Sequence, residues 1–156
     1  MTRLPHDGLI QLHAYLSPEG EWIMGHADEI QNGYGPAVLR SRKRFNDKTT
    51  MWSVYYQNDT QFQLRWGEDP NLYLAWGFKG DALRLTAEPS FITGSNQAIT
   101  LFTIDDLDPS PWFALNNFDK SKVVDVREEQ MYDGNYIVSF PWNGGDNQKW
   151  RFEQVG

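Results

Sequence analysis

The chain says the same thing three times. Leu12, Leu64 and Leu115 recur at a spacing of about fifty residues, as do Met24, Leu74 and Val124, and as do three closing aromatics, Trp52, Phe102 and Trp150. A further set, Leu39, Leu85 and Ile137, keeps the order with uneven gaps to the closing ring, the longest in the middle unit. A unit of this length cannot bury its apolar face alone, so three of them must share one core. Fixed strands joined by loops of variable length account for the uneven gaps. The repeats fall roughly at residues 1–57, 58–107 and 108–156 of a single 156-residue domain.

Local patterning says what each unit is made of. Apolar residues come in short runs, such as Trp22-Ile23-Met24, Leu72-Tyr73-Leu74 and Val123-Val124, without helical periodicity. Between them lie turn signals: Pro18-Glu19-Gly20, Asn32-Gly33-Tyr34-Gly35-Pro36, Asp69-Pro70-Asn71, Asp133-Gly134-Asn135 and Asn143-Gly144-Gly145-Asp146. About a dozen short strands fit between those turns, which predicts an all-β domain. Asn58-Asp59-Thr60 has the form of a glycosylation acceptor and is read as an unmodified turn.

Composition removes several function classes. A net charge of −7 repels nucleic-acid phosphates and anionic lipid heads, and the one basic run, Arg40-Ser41-Arg42-Lys43-Arg44, is read as a solvated strand end or loop. No apolar stretch is long enough for an export signal or a membrane span, and there is no cysteine, so a cytoplasmic protein without disulfides is expected. His6, His13 and His26 lack paired ligand spacing and are read as surface residues, with no metal site and no cofactor. The carboxylate pairs Asp105-Asp106 and Glu128-Glu129 are adjacent in sequence, and adjacent strand residues point to opposite faces, so no enzyme activity is expected.

The third unit is the most explicit. It carries Asp125-Val126 after an apolar strand, Phe140 a little further on, and a closing Asn147-Gln148-Lys149-Trp150. In this it resembles a repeat of the ricin-B-type lectins, over about its last forty residues. The resemblance implies a β-trefoil of three pseudo-repeats and twelve short strands, six closing a barrel and six capping one end. It also implies a non-catalytic sugar site in which Asp125 accepts from hydroxyls, Phe140 lies against the apolar face of the ring, and Asn147 donates from its amide. The corresponding places hold Gly25 and Thr49 in the first unit and Ala75 and Ile99 in the second, so one working site is expected. A polar residue common near the third strand of such repeats is replaced here by Val138 or Ser139. Read from the residues alone, the three side chains offer an acceptor, a stacking ring and a donor, a mix suited to a neutral sugar. The alternative is that Asp125 bonds local backbone, Asn147 sits in a turn and Phe140 belongs to the core. Gln148 and Trp150 are assigned to the fold.

A second resemblance is to the mycocypins, fungal β-trefoil inhibitors of cysteine proteases, through Asp7-Gly8, Thr86-Ala87-Glu88-Pro89 and Asp125-Val126-Arg127-Glu128-Glu129. It implies inhibition, without catalysis, of a cysteine or aspartic protease by protruding loops. Aromatic content of 15%, with seven Trp, exceeds what three small strand sets would absorb, so some rings are expected at the surface. Tyr34, Trp112 and Trp142, each in a loop rich in Pro, Gly or Asn, are the candidates for protein contact, unless Trp112 and Trp142 fold back to seal the barrel ends. The sequence therefore predicts a lectin whose partner is a glycan or glycoprotein, with a protease as the alternative partner. A shallow single site implies weak affinity, which a homo-oligomer would raise through avidity.

Overall fold

The computed structural model describes residues 2–16, 21–26, 35–76, 82–87 and 99–156. Twelve strands are described: β1 (Ile10–Ala14), β2 (Trp22–His26), β3 (Gly35–Ser41), β4 (Trp52–Tyr56), β5 (Phe62–Trp66), β6 (Tyr73–Ala75), β7 (Arg84–Thr86), β8 (Thr103–Asp106), β9 (Phe113–Asn116), β10 (Val123–Val126), β11 (Ile137–Phe140) and β12 (Trp150–Gln154). Every described pairing is antiparallel.

The first and fourth strands of each unit close a barrel. Long pairings join β4 to β5, β8 to β9 and β12 to β1. Each unit is then shut by one bridge between its first strand and its closing aromatic: Ile10 with Trp52, Phe62 with Phe102, and Phe113 with Trp150. The hairpins β2–β3, β6–β7 and β10–β11 form the cap. Their inner strands meet through Gly35–Leu85, Ala82–Val138 and Val38–Tyr136. Six barrel strands under a triangular six-strand cap make a β-trefoil, as the repeats predict.

The recurring apolar residues are its core. Leu12, Leu64 and Leu115, Met24, Leu74 and Val124, Leu39, Leu85 and Ile137, and the three closing rings are all fully buried. The closing rings also carry a repeated polar bond: Trp52 Nε1 donates to Met24 O at 3.1 Å and Trp150 Nε1 to Val124 O at 3.2 Å. Phe102 has no such donor, and in the middle unit Trp76 instead packs 4.9 Å from Phe102 and donates to Leu101 O at 3.0 Å. One repeat member is offset. Met24 and Leu74 pair with Leu39 and Leu85, whereas Val124 pairs with Ser139 and Ile137 lies opposite Val126. A shift of two residues keeps Ile137 on the core face.

Several surface expectations are overturned. His13 and His26 are not surface residues: His13 is fully buried with Nε2 3.3 Å from Glu153 Oε2, and His26 sits edge-on to Trp66 with ring centroids 4.0 Å apart. What surrounds them comes from other strands: β12 beside His13, and Trp66 of β5 and Arg40 of β3 beside His26. Arg40 is likewise not solvated; it is buried, donating to His26 O at 3.1 Å and to Asp133 Oδ2 at 3.1 Å. Arg42 and Lys43 pair with Glu153 and Glu21, which spends the basic run on carboxylates of this chain. Of the seven Trp only Trp142 is exposed; Trp22 and Trp112 are half-buried and the rest belong to the core. Asn58 Oδ1 accepts from the backbone of Thr60 and Gln61, making the β4–β5 turn.

Because all three units share one core, damage to one closing ring should destabilise the whole. Trp150→Ala is expected to cost about 3–5 kcal/mol and to lower a single cooperative unfolding transition measured by circular dichroism. Trp150→Phe, which keeps a ring as the middle unit does at Phe102, should cost about 1–2 kcal/mol through the lost indole bond.

Candidate functional site

The β10–β11 hairpin carries a cavity of ≈ 740 Å³ on its outer side, bordered by Asp125, Phe140 and Asn147 together. Asp125 is the odd residue in a β-branched strand whose other members, Val123, Val124 and Val126, are buried in the barrel and cap. Its pleat turns it away from Val124 and Val126. The carboxylate is only 3% exposed, yet it borders the cavity as part of the floor.

Two side-chain amides fix it. Asn147 Nδ2 donates to Asp125 Oδ1 at 3.0 Å and to Val126 O at 3.0 Å; Gln148 Nε2 donates to Asp125 Oδ2 at 2.9 Å and to Pro141 O at 3.0 Å. Gln148 Oε1 accepts from Asn143 N at 2.9 Å. All four partners of the two amide nitrogens are acceptors, which settles which end of each amide faces them. The closing Asn-Gln pair therefore builds the floor of the cavity as well as the turn. A carboxylate offers about four lone-pair sites, so each oxygen of Asp125 keeps capacity for a ligand hydroxyl. Asn147 differs from its expected role: both hydrogens of Nδ2 are used within the protein, and what it can offer a ligand is Oδ1, an acceptor.

The turn that brings Asn147 into place is tight. Gly144 has φ +77°, and Asn143 Oδ1 accepts from Gly145 N at 2.8 Å. A Cβ at Gly145 would fall 2.6 Å from Asn147 Oδ1 and 2.8 Å from Asn143 Oδ1, so any side chain there would push both asparagines out of place. With its oxygen engaged, Asn143 borders the cavity with an amide donor to spare. The spare amide donor at the cavity is thus on Asn143 and not on Asn147.

The opposite wall is the turn after β10. Arg127, Glu128 and Glu129 all border the cavity, with Glu128 at φ 55° and Glu129 at φ 59°. Two successive non-glycine residues in the left-handed region store backbone strain, of order 1–3 kcal/mol each. Buried Asn135 holds the turn, donating from Nδ2 to Arg127 O at 3.0 Å and Gln130 O at 2.7 Å. The Glu pair is thus not on a strand, and the inference that its members face opposite ways fails: both line one cavity because left-handed turn geometry replaces strand alternation. Behind the turn, Asp133 accepts from Ser41 N and from Arg40, and Gly134 and Asn135 exchange backbone bonds of 2.7 Å with Leu39. The cavity wall is anchored on the first unit.

Tyr136, Val138 and Ser139 complete the lining with Ala82 of the middle unit. Tyr136, Glu128, Glu129 and Asn143 are the residues that reading the motif missed; the turn signals around Gly134 and Gly144 marked their neighbourhood without marking their role. The equivalents of Asp125 in the other units are Gly25 and Ala75, and a Cβ at Gly25 would already meet Arg40 Cγ at 3.0 Å and Thr50 Cγ2 at 3.1 Å. Of the expected contact loops, Trp112 folds back edge-on against Tyr15 with centroids 4.7 Å apart, Trp142 stands 46% exposed, and Tyr34 lies outside the described residues. Among the described residues no three His, Asp or Glu side chains are grouped to hold a metal ion.

Neither a protein-family model nor a curated protein matches the sequence. The fold is shared with solved structures. A mosquitocidal holotoxin superposes with a TM-score of 0.79 at 16% identity, over 98% of this chain and 18% of that chain. The designed three-fold symmetric protein ThreeFoil gives 0.77 at 19% identity, over 96% of this chain and 100% of the design. The ricin B-like lectin of Macrolepiota procera, in complex with lactose, gives 0.74 at 11% identity, over 99% of this chain and 100% of the lectin. The chain is thus a β-trefoil resembling the ricin-B-type lectins in fold, and it spans less than a fifth of the holotoxin.

Burial pushes the Asp125 carboxyl above its ordinary value of 3.8; the Gln148 and Asn147 hydrogen bonds pull it down, and the charge of Glu129 adds to the rise. With the folded value raised above the unfolded one, the contribution of Asp125 to stability is fully present below the unfolded value and is lost as pH rises through the folded one. Carbon-detected NMR of the Asp125 carboxyl should give a midpoint above 3.8, and Glu129→Gln should lower that midpoint.

Proposed function

We propose that the protein is a non-catalytic carbohydrate-binding protein with one sugar site, in the third unit, formed by Asp125, Phe140 and Asn147. The observation that carries this reading is their convergence on one cavity: a floor carboxylate with unused acceptor sites, a ring 48% exposed, and two asparagines with an acceptor and a donor to spare. Sugar hydroxyls would donate to Asp125 and to Asn147 Oδ1 and accept from Asn143, while the apolar face of the ring lies on Phe140. The lactose bound by the Macrolepiota lectin, on the same fold, favours a glycan as the ligand class. A site with so few polar contacts binds one sugar weakly, and several copies of the chain would supply avidity.

Non-catalytic action is supported by the state of Asp125. Glycoside hydrolysis needs one carboxyl to deliver a proton and a second to act from across the bond. Here amide donors grip both oxygens of Asp125, which sets it as an acceptor. Aryl glycosides incubated with the protein should release no phenol; release that Asp125→Asn abolishes would overturn the non-catalytic reading.

Phe140→Ala removes an exposed ring and should change stability by no more than about 0.5 kcal/mol while abolishing retention on a glycan array. Asp125→Ala should also abolish retention. Its stability cost should be held to about 1–3 kcal/mol, because Asn147 and Gln148 keep Val126 O and Pro141 O as acceptors. Unchanged array profiles for both variants would exclude this cavity.

A further inference from the structure

Phe140 has a counterpart at the other end of its own cavity. Alternate residues of an extended strand share a face, so Tyr136, Val138 and Phe140 stand in a row on the outer side of the cap while Ile137 is buried within. Asp125 is the cross-strand partner of Val138, and directly opposed residues share a face. The carboxylate therefore lies at the middle of the row, with an aromatic residue two positions to either side. All four border the cavity. Val138 and Asp125 are its buried floor, and its ends are open, with Tyr136 42% and Phe140 48% exposed.

The main chain of Tyr136 is held by more than its own strand. Arg127 N donates to Tyr136 O at 3.2 Å, the residue bridges to Val38 of the first unit, and the Arg127 guanidinium lies 5.9 Å from its ring. A ring carried on main chain held at two points is presented at a set place beside the cavity. Four residues of strand span about 13 Å, further than one pyranose reaches. A hexose seated on Phe140 and bonded to Asp125 would leave Tyr136 uncovered.

We infer that the cavity takes two consecutive sugar rings, one on Phe140 and the next on Tyr136, with Asp125 serving hydroxyls near their junction. The inference rests on the carbohydrate reading above and adds to it the ligand's length. Tyr136 then acts as the residue that distinguishes a disaccharide or longer chain from a single sugar.

Calorimetric titration with two matched pairs tests this: methyl β-galactoside against lactose, and N-acetylglucosamine against N,N′-diacetylchitobiose. In the pair that binds, the disaccharide should be favoured by roughly threefold to tenfold, the worth of one stacked ring. Tyr136→Ala should erase that advantage and leave the single sugar's affinity unchanged, Tyr136→Phe should keep it, and Phe140→Ala should weaken both ligands. Should Tyr136→Ala fail to fold by circular dichroism, Tyr136→Leu takes its place. Equal affinity for both members of every pair that binds overturns the two-ring inference alone, as does a Tyr136 variant that loses single sugar and disaccharide equally. Binding of none of the four sugars at millimolar concentration overturns the carbohydrate reading and this inference with it.

Discussion

Three buried aromatic rings in one shared core hold this protein together. Trp52, Phe102 and Trp150 each shut a unit by bridging to its first strand, and all three lie fully buried in the one core cluster. Among the described residues, the apolar side chains of the cap hairpins belong to the same core cluster as the barrel rings. Stability is therefore pooled, and a single unit can diverge on its outer face without losing the support of the other two.

The third unit has used that freedom. Its closing turn sends Asn147 and Gln148 to grip Asp125, whereas the first unit fills the same ground with Arg40 and Thr50 around Gly25. The polar knot resolves a conflict that a lone carboxylate on a buried strand would face. Desolvation disfavours the charged form, and two amide donors offset part of that cost. The result is an acceptor pre-aimed at a cavity whose walls are a strained turn and two half-exposed rings.

How far the sequence disclosed this depends on what each residue answers to. The barrel was legible because Leu12, Met24 and Trp52 and their repeats answer to a shared core, where volume and spacing are constrained. Asp125, Phe140 and Asn147 were legible as a group because they sit in a motif-like order that the third unit retains. The chemistry of Asn147 was not, since the direction of an amide is set by two acceptors, Asp125 and Val126 O, that only the folded turn brings to it. Glu128 and Glu129 were misplaced for a related reason: strand alternation was assumed where Asn135 imposes left-handed geometry. His13, His26 and Arg40 looked like surface residues because nothing local says that Glu153, Trp66 and Asp133, all distant in sequence, will pack beside them.

The pin between Asp133 and the first unit's Arg40 and Ser41 has a consequence for how such a domain can change over time. The wall of the third unit's cavity is finished by residues some ninety positions earlier in the chain. Copying the third unit into another position would therefore transplant the motif without its buttress, and a drift at Arg40 could dismantle the cavity while every residue bordering it stayed the same. Ancestry of this cavity is written in two units at once, and a comparison confined to the motif would miss half of the record.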